Sequence, residues 1–215
     1  MKISKGWMAA IIIALVIIVD QVLKIWVKTS FYYGEELPVT DWFRLFFIEN
    51  NGMAFGLELL DKVVLTLFRL IMSGVFIYYI YRNRKENYPR GFFACIALIT
   101  AGTIGNTIDC MFYGLLFDAP MYPEVATFLP EGGGYASLFY GRVVDMLYFP
   151  LVEWYWPEWM PFVGGDYFQF FQPVFNIADS ALCVGVFIII LFYTKSLSES
   201  LSSKPKVEEP DSDNE

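Results

Sequence analysis

The residues able to do chemistry in this sequence are carboxylates set in apolar surroundings. Asn176 and Asp179 open an apolar run that continues to Tyr193, three apart and so on one face of a helix. Asp20 and Lys24 lie one turn apart in the first apolar run. Asn106 and Asp109 close the third, and Asp145 follows Gly141-Arg142-Val143-Val144. An aspartate at the centre of a membrane helix costs at least roughly 2.5–3.5 kcal/mol, so such residues mark a site. Two carboxylates in contact cannot both ionise easily. One keeps a proton and polarises a carbonyl, while the other takes a proton from water. This is aspartic-peptidase chemistry, and the pattern leaves open which two aspartates pair.

Other chemistries are harder to build. The sequence has no histidine, which removes Ser-His-Asp and Cys-His arrangements, the usual zinc sites and His-ligated haem. Cys95, Cys110 and Cys183 are widely spaced and lack a CxxC pattern, so no disulfide framework and no metal site are expected. No cofactor motif occurs, and Gly132-Gly133-Gly134 reads as a turn because no Walker lysine follows it. Ser180 lacks a lysine on the outer half of its helix to act as a base. Structural roles compete with chemical ones at several positions. Asp20 and Lys24 can form an ion pair at a helix end or contact a lipid substrate. Asn106 and Asp109 can satisfy backbone groups at a helix terminus, and Asn176 can cap a helix.

The elements that must position these groups are membrane spans. The chain has 215 residues, 56% hydrophobic and 19% aromatic, a mix that fits a polytopic membrane protein. Apolar runs predict four transmembrane helices at about 7–27, 63–81, 92–108 and 174–193, with Ala101, Gly102 and Gly105 allowing close helix packing. The segment 31–61 carries turn residues and short β-prone runs and predicts a small sheet at the membrane surface. The segment 109–173 is long, mixed and rich in aromatic residues suited to the interface. The expected organisation is one integral-membrane domain over 1–196 and a disordered tail over 197–215. Lysines and arginines cluster at the N-terminus, in 82–90 and at the start of the tail. The positive-inside rule therefore puts both termini in the cytoplasm and both long loops outside. That orientation gathers the carboxylates at the outer membrane face. The net charge of −8 comes largely from the tail and 118–166, and no basic patch suggests a nucleic-acid partner.

The motifs Asp20-Gln21-x-x-Lys24, Asn50-x-Gly52-x-Ala54-Phe55, Gly102-x-x-Gly105-Asn106-x-x-Asp109, Gly141-Arg142-Val143-Val144-Asp145 and Phe175-Asn176-x-Ala178-Asp179-Ser180 occur in this order. In that order, on those spans, the chain resembles the bacterial lipoprotein signal peptidases (signal peptidase II) over roughly 16–192. The resemblance implies a membrane all-α core of four transmembrane helices with a periplasmic β cradle, in the bacterial inner membrane. It implies an aspartyl endopeptidase that removes the signal peptide from prolipoproteins, cutting before a diacylglyceryl-modified cysteine, with no cofactor and with globomycin as inhibitor. Carried over, the catalytic pair is Asp145 and Asp179. Asn50, Gly52, Asn106, Asp109 and Asn176 match supporting positions, and Asp20 and Lys24 the first-helix motif. Two departures stand out. The family usually follows the third-helix aspartate with arginine, where this chain has Cys110; Arg142 is a candidate for the missing charge. The family also uses a short loop where this chain carries an inserted outer-side segment, 117–140, between Gly114 and Gly141. The alternative is a transporter or scaffold using its acids as a proton or ion path.

Overall fold

The computed structural model describes residues 3–50, 62–170 and 172–202. Helix α1, Lys5–Ser30, starts where the Ser4 side chain accepts a hydrogen bond from the Trp7 N–H. Its faces are inverted relative to a soluble helix. Asp20, Lys24 and Lys28 are fully buried, while Trp7 and Leu15 are 71% and 57% exposed. Such an arrangement is stable only where the surroundings are themselves apolar, which is how a lipid-facing helix reads.

Strands β1 (Glu36–Thr40) and β2 (Phe43–Asn50) follow, then α2 (Lys62–Asn83) and α3 (Arg90–Ile108). Helix α3 is the central element, packed by α1, α2 and a later helix. It runs on through one π-helical turn, Asp109–Tyr113, into the short helix α4, Gly114–Leu116. The sequence reading ends this span at 108 and assigns 109–116 to a loop. The apolar run Met111–Leu116 explains the continuation: it gives the helix another buried turn, with Tyr113 and Phe117 in the core.

The remaining strands are β3 (Val143–Tyr148), β4 (Glu153–Tyr155), β5 (Tyr167–Gln169) and β6 (Val174–Phe175). One antiparallel sheet has the order β1-β2-β3-β6, and β4-β5 form a separate hairpin. The expected small sheet is therefore present but draws strand β3 from the second long loop and β6 from beyond it. Residues 174–175, read from the sequence as the start of the fourth span, are its edge strand. Phe175 pairs with Leu147 and stacks on Phe149 at 5.5 Å, which ties that strand to the sheet before the helix begins.

Helix α5, Ile177–Phe192, then turns by 88° into α6, Thr194–Ser202. Among the described residues three helices are long and apolar enough to cross a membrane: Lys5–Ser30, Lys62–Asn83 and Arg90–Leu116. A fourth is reached if α5 and α6 count together as one broken span. The 16 residues of α5 alone extend about 24 Å, short of a roughly 30 Å hydrocarbon core. The sequence reading begins the disordered tail at 197, but helix α6 continues to Ser202. Leu197 packs against the cluster around Phe92 and Phe93 and the Tyr79 hydroxyl donates to Ser200, which hold this stretch down.

Two cores bracket the polar residues. One centres on Phe92, Phe93 and Ile96 with Ile80 and Ile189. The other, beneath the sheet, centres on Phe47, Tyr113, Phe117, Val144 and Met146. Between them α3 and α5 approach closely. A Cβ at Gly102 would lie 2.3 Å from the Ala178 carbonyl oxygen, and one at Gly105 would lie 2.9 Å from both the Ala178 methyl and the Asp20 carboxylate. Any larger residue would push the helices apart, as small residues at membrane helix contacts predict.

Candidate active site

Asp20, Lys24 and Lys28 of the first helix are brought inward by their spacing of four. Lys24 lies fully buried between two carboxylates, 2.9 Å from Asp20 and 2.8 Å from Asp109. It also donates to Asn106 Oδ1 at 2.9 Å. The expected Asp20–Lys24 ion pair is thus present, and Asp109 joins it from α3. Asp20 also reaches a second helix. Its Oδ1 accepts the Ala178 N–H at 2.8 Å, so the first helix satisfies a donor at the exposed end of α5. Gln21 stitches the group together, donating to Asp109 at 2.9 Å and accepting from the Tyr113 hydroxyl at 3.1 Å.

The second pair of acids lies beside this group. Asp145 sits on β3, opposite Ile48, and is 2% exposed. Its Oδ1 accepts from Asn176 Nδ2 at 2.7 Å, and its Oδ2 accepts from Asn50 Nδ2. Asn176 is the N-cap of α5. Its side-chain oxygen accepts the Asp179 N–H at 2.9 Å, while its amide nitrogen reaches Asp145, Asn106 and the Val144 carbonyl. One asparagine therefore touches the backbone of one acid and the side chain of the other. Asn106 Nδ2 donates to Asp179 Oδ1 at 2.6 Å. Asp179 stands in the first turn of α5 and is only partly buried. Helix-terminal N–H groups favour a negative charge there.

Electrostatics separate the two acids. Burial, followed by the nearby charge of Asp179, pushes the Asp145 carboxyl up to about 8, against a smaller opposing pull from Lys24 and the Asn176 hydrogen bond. At neutral pH Asp145 holds a proton, beside the second acid at a helix N-terminus. That pairing of a protonated and an accepting carboxyl is the arrangement that activates water against a carbonyl.

Of the residues the sequence singles out, the structure brings together Asp20, Lys24, Asn50, Asn106, Asp109, Asp145, Asn176 and Asp179. Gly52 lies outside the described residues. Arg142 turns to Glu49 at 3.4 Å rather than to either acid of the second pair. Nor does it stand in for the arginine that Cys110 displaces: the guanidinium reaching Cys110 belongs to Arg69 of α2, 3.6 Å from the Cys110 sulfur. Three contributors escaped the sequence reading. Gln21 was visible in its motif, and Lys28 continues the four-residue spacing Asp20-Lys24-Lys28. Glu49, the partner of Lys28, carries no comparable signal beyond its place before Asn50.

The chain is similar to known proteins. The family model for signal peptidase (SPase) II matches residues 12–195. A lipoprotein signal peptidase of Porphyromonas gingivalis is 44% identical over 209 residues, covering 97% of this chain and 92% of the relative. One from Amoebophilus asiaticus is 36% identical, covering 98% and 87%. A solved bacterial membrane enzyme shares the fold with a TM-score of 0.57 at 24% identity, over 93% of each chain.

Proposed function

This chain belongs to the signal peptidase II family, and on that premise we propose that it removes signal peptides from prolipoproteins with Asp145 and Asp179 as its catalytic pair. The observation that carries the assignment is the shared asparagine: Asn176 holds the Asp145 side chain and the Asp179 backbone at once. In this reading the protonated Asp145 donates to the scissile carbonyl oxygen. Asp179 takes a proton from the attacking water, and the tetrahedral intermediate collapses as a proton returns to the leaving amine. Asn50, Asn106 and Asn176 fix both carboxyls without neutralising them. Asp20, Lys24 and Asp109 hold α1, α3 and α5 together behind them.

The substrate is a prolipoprotein cut before its diacylglyceryl-modified cysteine. Its acyl chains lie along lipid-exposed helix faces, and the β1-β2-β3-β6 sheet cradles the peptide at the outer surface. The protein resides in the bacterial inner membrane with both termini cytoplasmic and the dyad near the outer face, an orientation supported by the distribution of lysine and arginine. Globomycin is the expected inhibitor. A transporter or scaffold is not favoured, because the acids gather into one network rather than a path and because of the family. The test is cleavage of a diacylglyceryl-modified prolipoprotein by the detergent-purified protein and by its Asp145→Asn and Asp179→Asn variants. Persisting cleavage in either variant rejects the dyad.

A further inference from the structure

We infer that Tyr135 of the inserted segment 117–140 is a positioning residue: acting with Lys28, Glu49 and Arg142, it positions the strand that carries Asp145. The inference rests on the assignment of Asp145 to the dyad.

The insertion leaves and rejoins the chain at one point. A Cβ at Gly141 would lie 2.1 Å from the Asp109 carbonyl and 2.9 Å from the Gly114 nitrogen, so the two ends are in contact. Between them the segment folds back. The Tyr135 N–H donates to the Phe117 carbonyl and the Ala136 N–H to the Gly114 carbonyl, each at 2.9 Å. This places the Tyr135 ring 5.2 Å from the Lys28 ammonium and 5.2 Å from the Arg142 guanidinium, while the Phe117 ring lies 5.3 Å from Lys28. Lys28 is fully buried and ion-paired with Glu49, whose other oxygen receives Arg142 at 3.4 Å. The aromatic faces of the insertion thus close over a desolvated cation, where such contacts are strongest.

The consequence reaches the dyad along two strands. Glu49 immediately precedes Asn50, whose amide holds Asp145. Arg142 stands three residues before Asp145, and its N–H donates to the Tyr135 hydroxyl at 2.6 Å. The same two strand ends pair with each other, Glu49 with Val144 and Asn50 with Val143. One buried cluster therefore sets both the donor amide and the acid it grips. Misplacement of a reacting group by about 1 Å can cost about a hundredfold in rate, so loosening this cluster falls on turnover rather than on substrate capture.

Tyr135→Phe isolates the effect: it keeps the ring over Lys28 and removes the acceptor for the Arg142 N–H. In the full-length protein, with a diacylglyceryl-modified prolipoprotein, kcat is expected to fall about tenfold with KM within about twofold of the parent. Glu49→Gln is expected to lower kcat in the same manner, and Met121→Ala, exposed on the same insertion, to leave it unchanged. Thermal melting of each variant reads folding separately. A Tyr135→Phe protein with the parent kcat overturns the inference. So does a change confined to KM, or a loss of activity that only tracks loss of folded protein. Cleavage by Asp145→Asn alongside an impaired Tyr135→Phe would instead overturn the dyad on which it rests.

Discussion

Two pairs of aspartates share one hydrogen-bonded network, and the protein treats them in opposite ways. Asp20 and Asp109 are fully buried and clamp Lys24 between them at 2.9 and 2.8 Å. Asp145 and Asp179 form no ion pair among the described residues and are held instead by the amides of Asn50, Asn106 and Asn176. A single cation offsets part of the charge of the first pair, which in the proposed reading has a supporting role. An amide orients a carboxyl but leaves its charge intact, so the second pair must manage its repulsion by keeping a proton. Among the described residues Lys24 is linked to Asp179 through the Asn106 amide, which in the proposed reading lies between the supporting and the catalytic groups.

The contrast can be broken most severely at the dyad. Asp179→Asn is expected to lower cleavage by at least about a thousandfold, the scale of acid–base catalysis, with thermal melting close to the parent. Should melting collapse as well, the two pairs would not be different in kind. Lys24→Met attacks the other side. It strands two buried carboxylates and should cost about 3–5 kcal/mol, seen as loss of folded protein in a melting series. Adding Asp109→Asn should return part of that loss.

Smaller effects sharpen the comparison. The Asp145 carboxyl is raised to about 8 from an ordinary value near 3.9. The folded protein therefore binds a proton that the unfolded chain releases across that interval. This contribution to stability is fully present below pH about 4 and is lost as pH rises through about 8. Melting curves of the parent should fall over that window, and those of Asp145→Asn should fall less. The mildest test is at the shared cap. Asn176→Ser retains a capping oxygen and removes the amide that grips Asp145, so turnover should drop, with a stability loss of about 1–3 kcal/mol from the buried acceptors left unmet. Asn176→Ala should cost about 1 kcal/mol more in stability, read from the same melts.

Much of this could be read from the chain. Apolar runs of sufficient length located the first three spans, and the Asp20-x-x-x-Lys24 spacing announced an ion pair that the structure contains. Asn176 was legible as a cap because an amide preceded an apolar run. Strand β3 was not, since Val143–Met146 is buried on both faces and shows no alternation. Strand β6 is two residues long and merges with the apolar helix behind it. The extension of α3 was hidden because a π-helical turn shifts the helical period at Asp109, just where the run also looks like a loop boundary. Lys28, Glu49 and Tyr135 are separated by long stretches of chain, and only tertiary structure reveals that they meet.

The hydrogen bond from Ala178 to Asp20 spans 158 positions of the chain. It joins helix α1 to helix α5, which follows it by most of the described chain. A chain still emerging from the ribosome has Asp20 and Lys24 already made but lacks the backbone donor that Asp20 will cap and both halves of the Asn176–Asp179 turn. Competence for the proposed chemistry therefore arrives late in synthesis, and the same contact that completes the bundle completes the site. A chain truncated before residue 178 loses an acid of the pair and, with it, the lock that keeps its first helix in place.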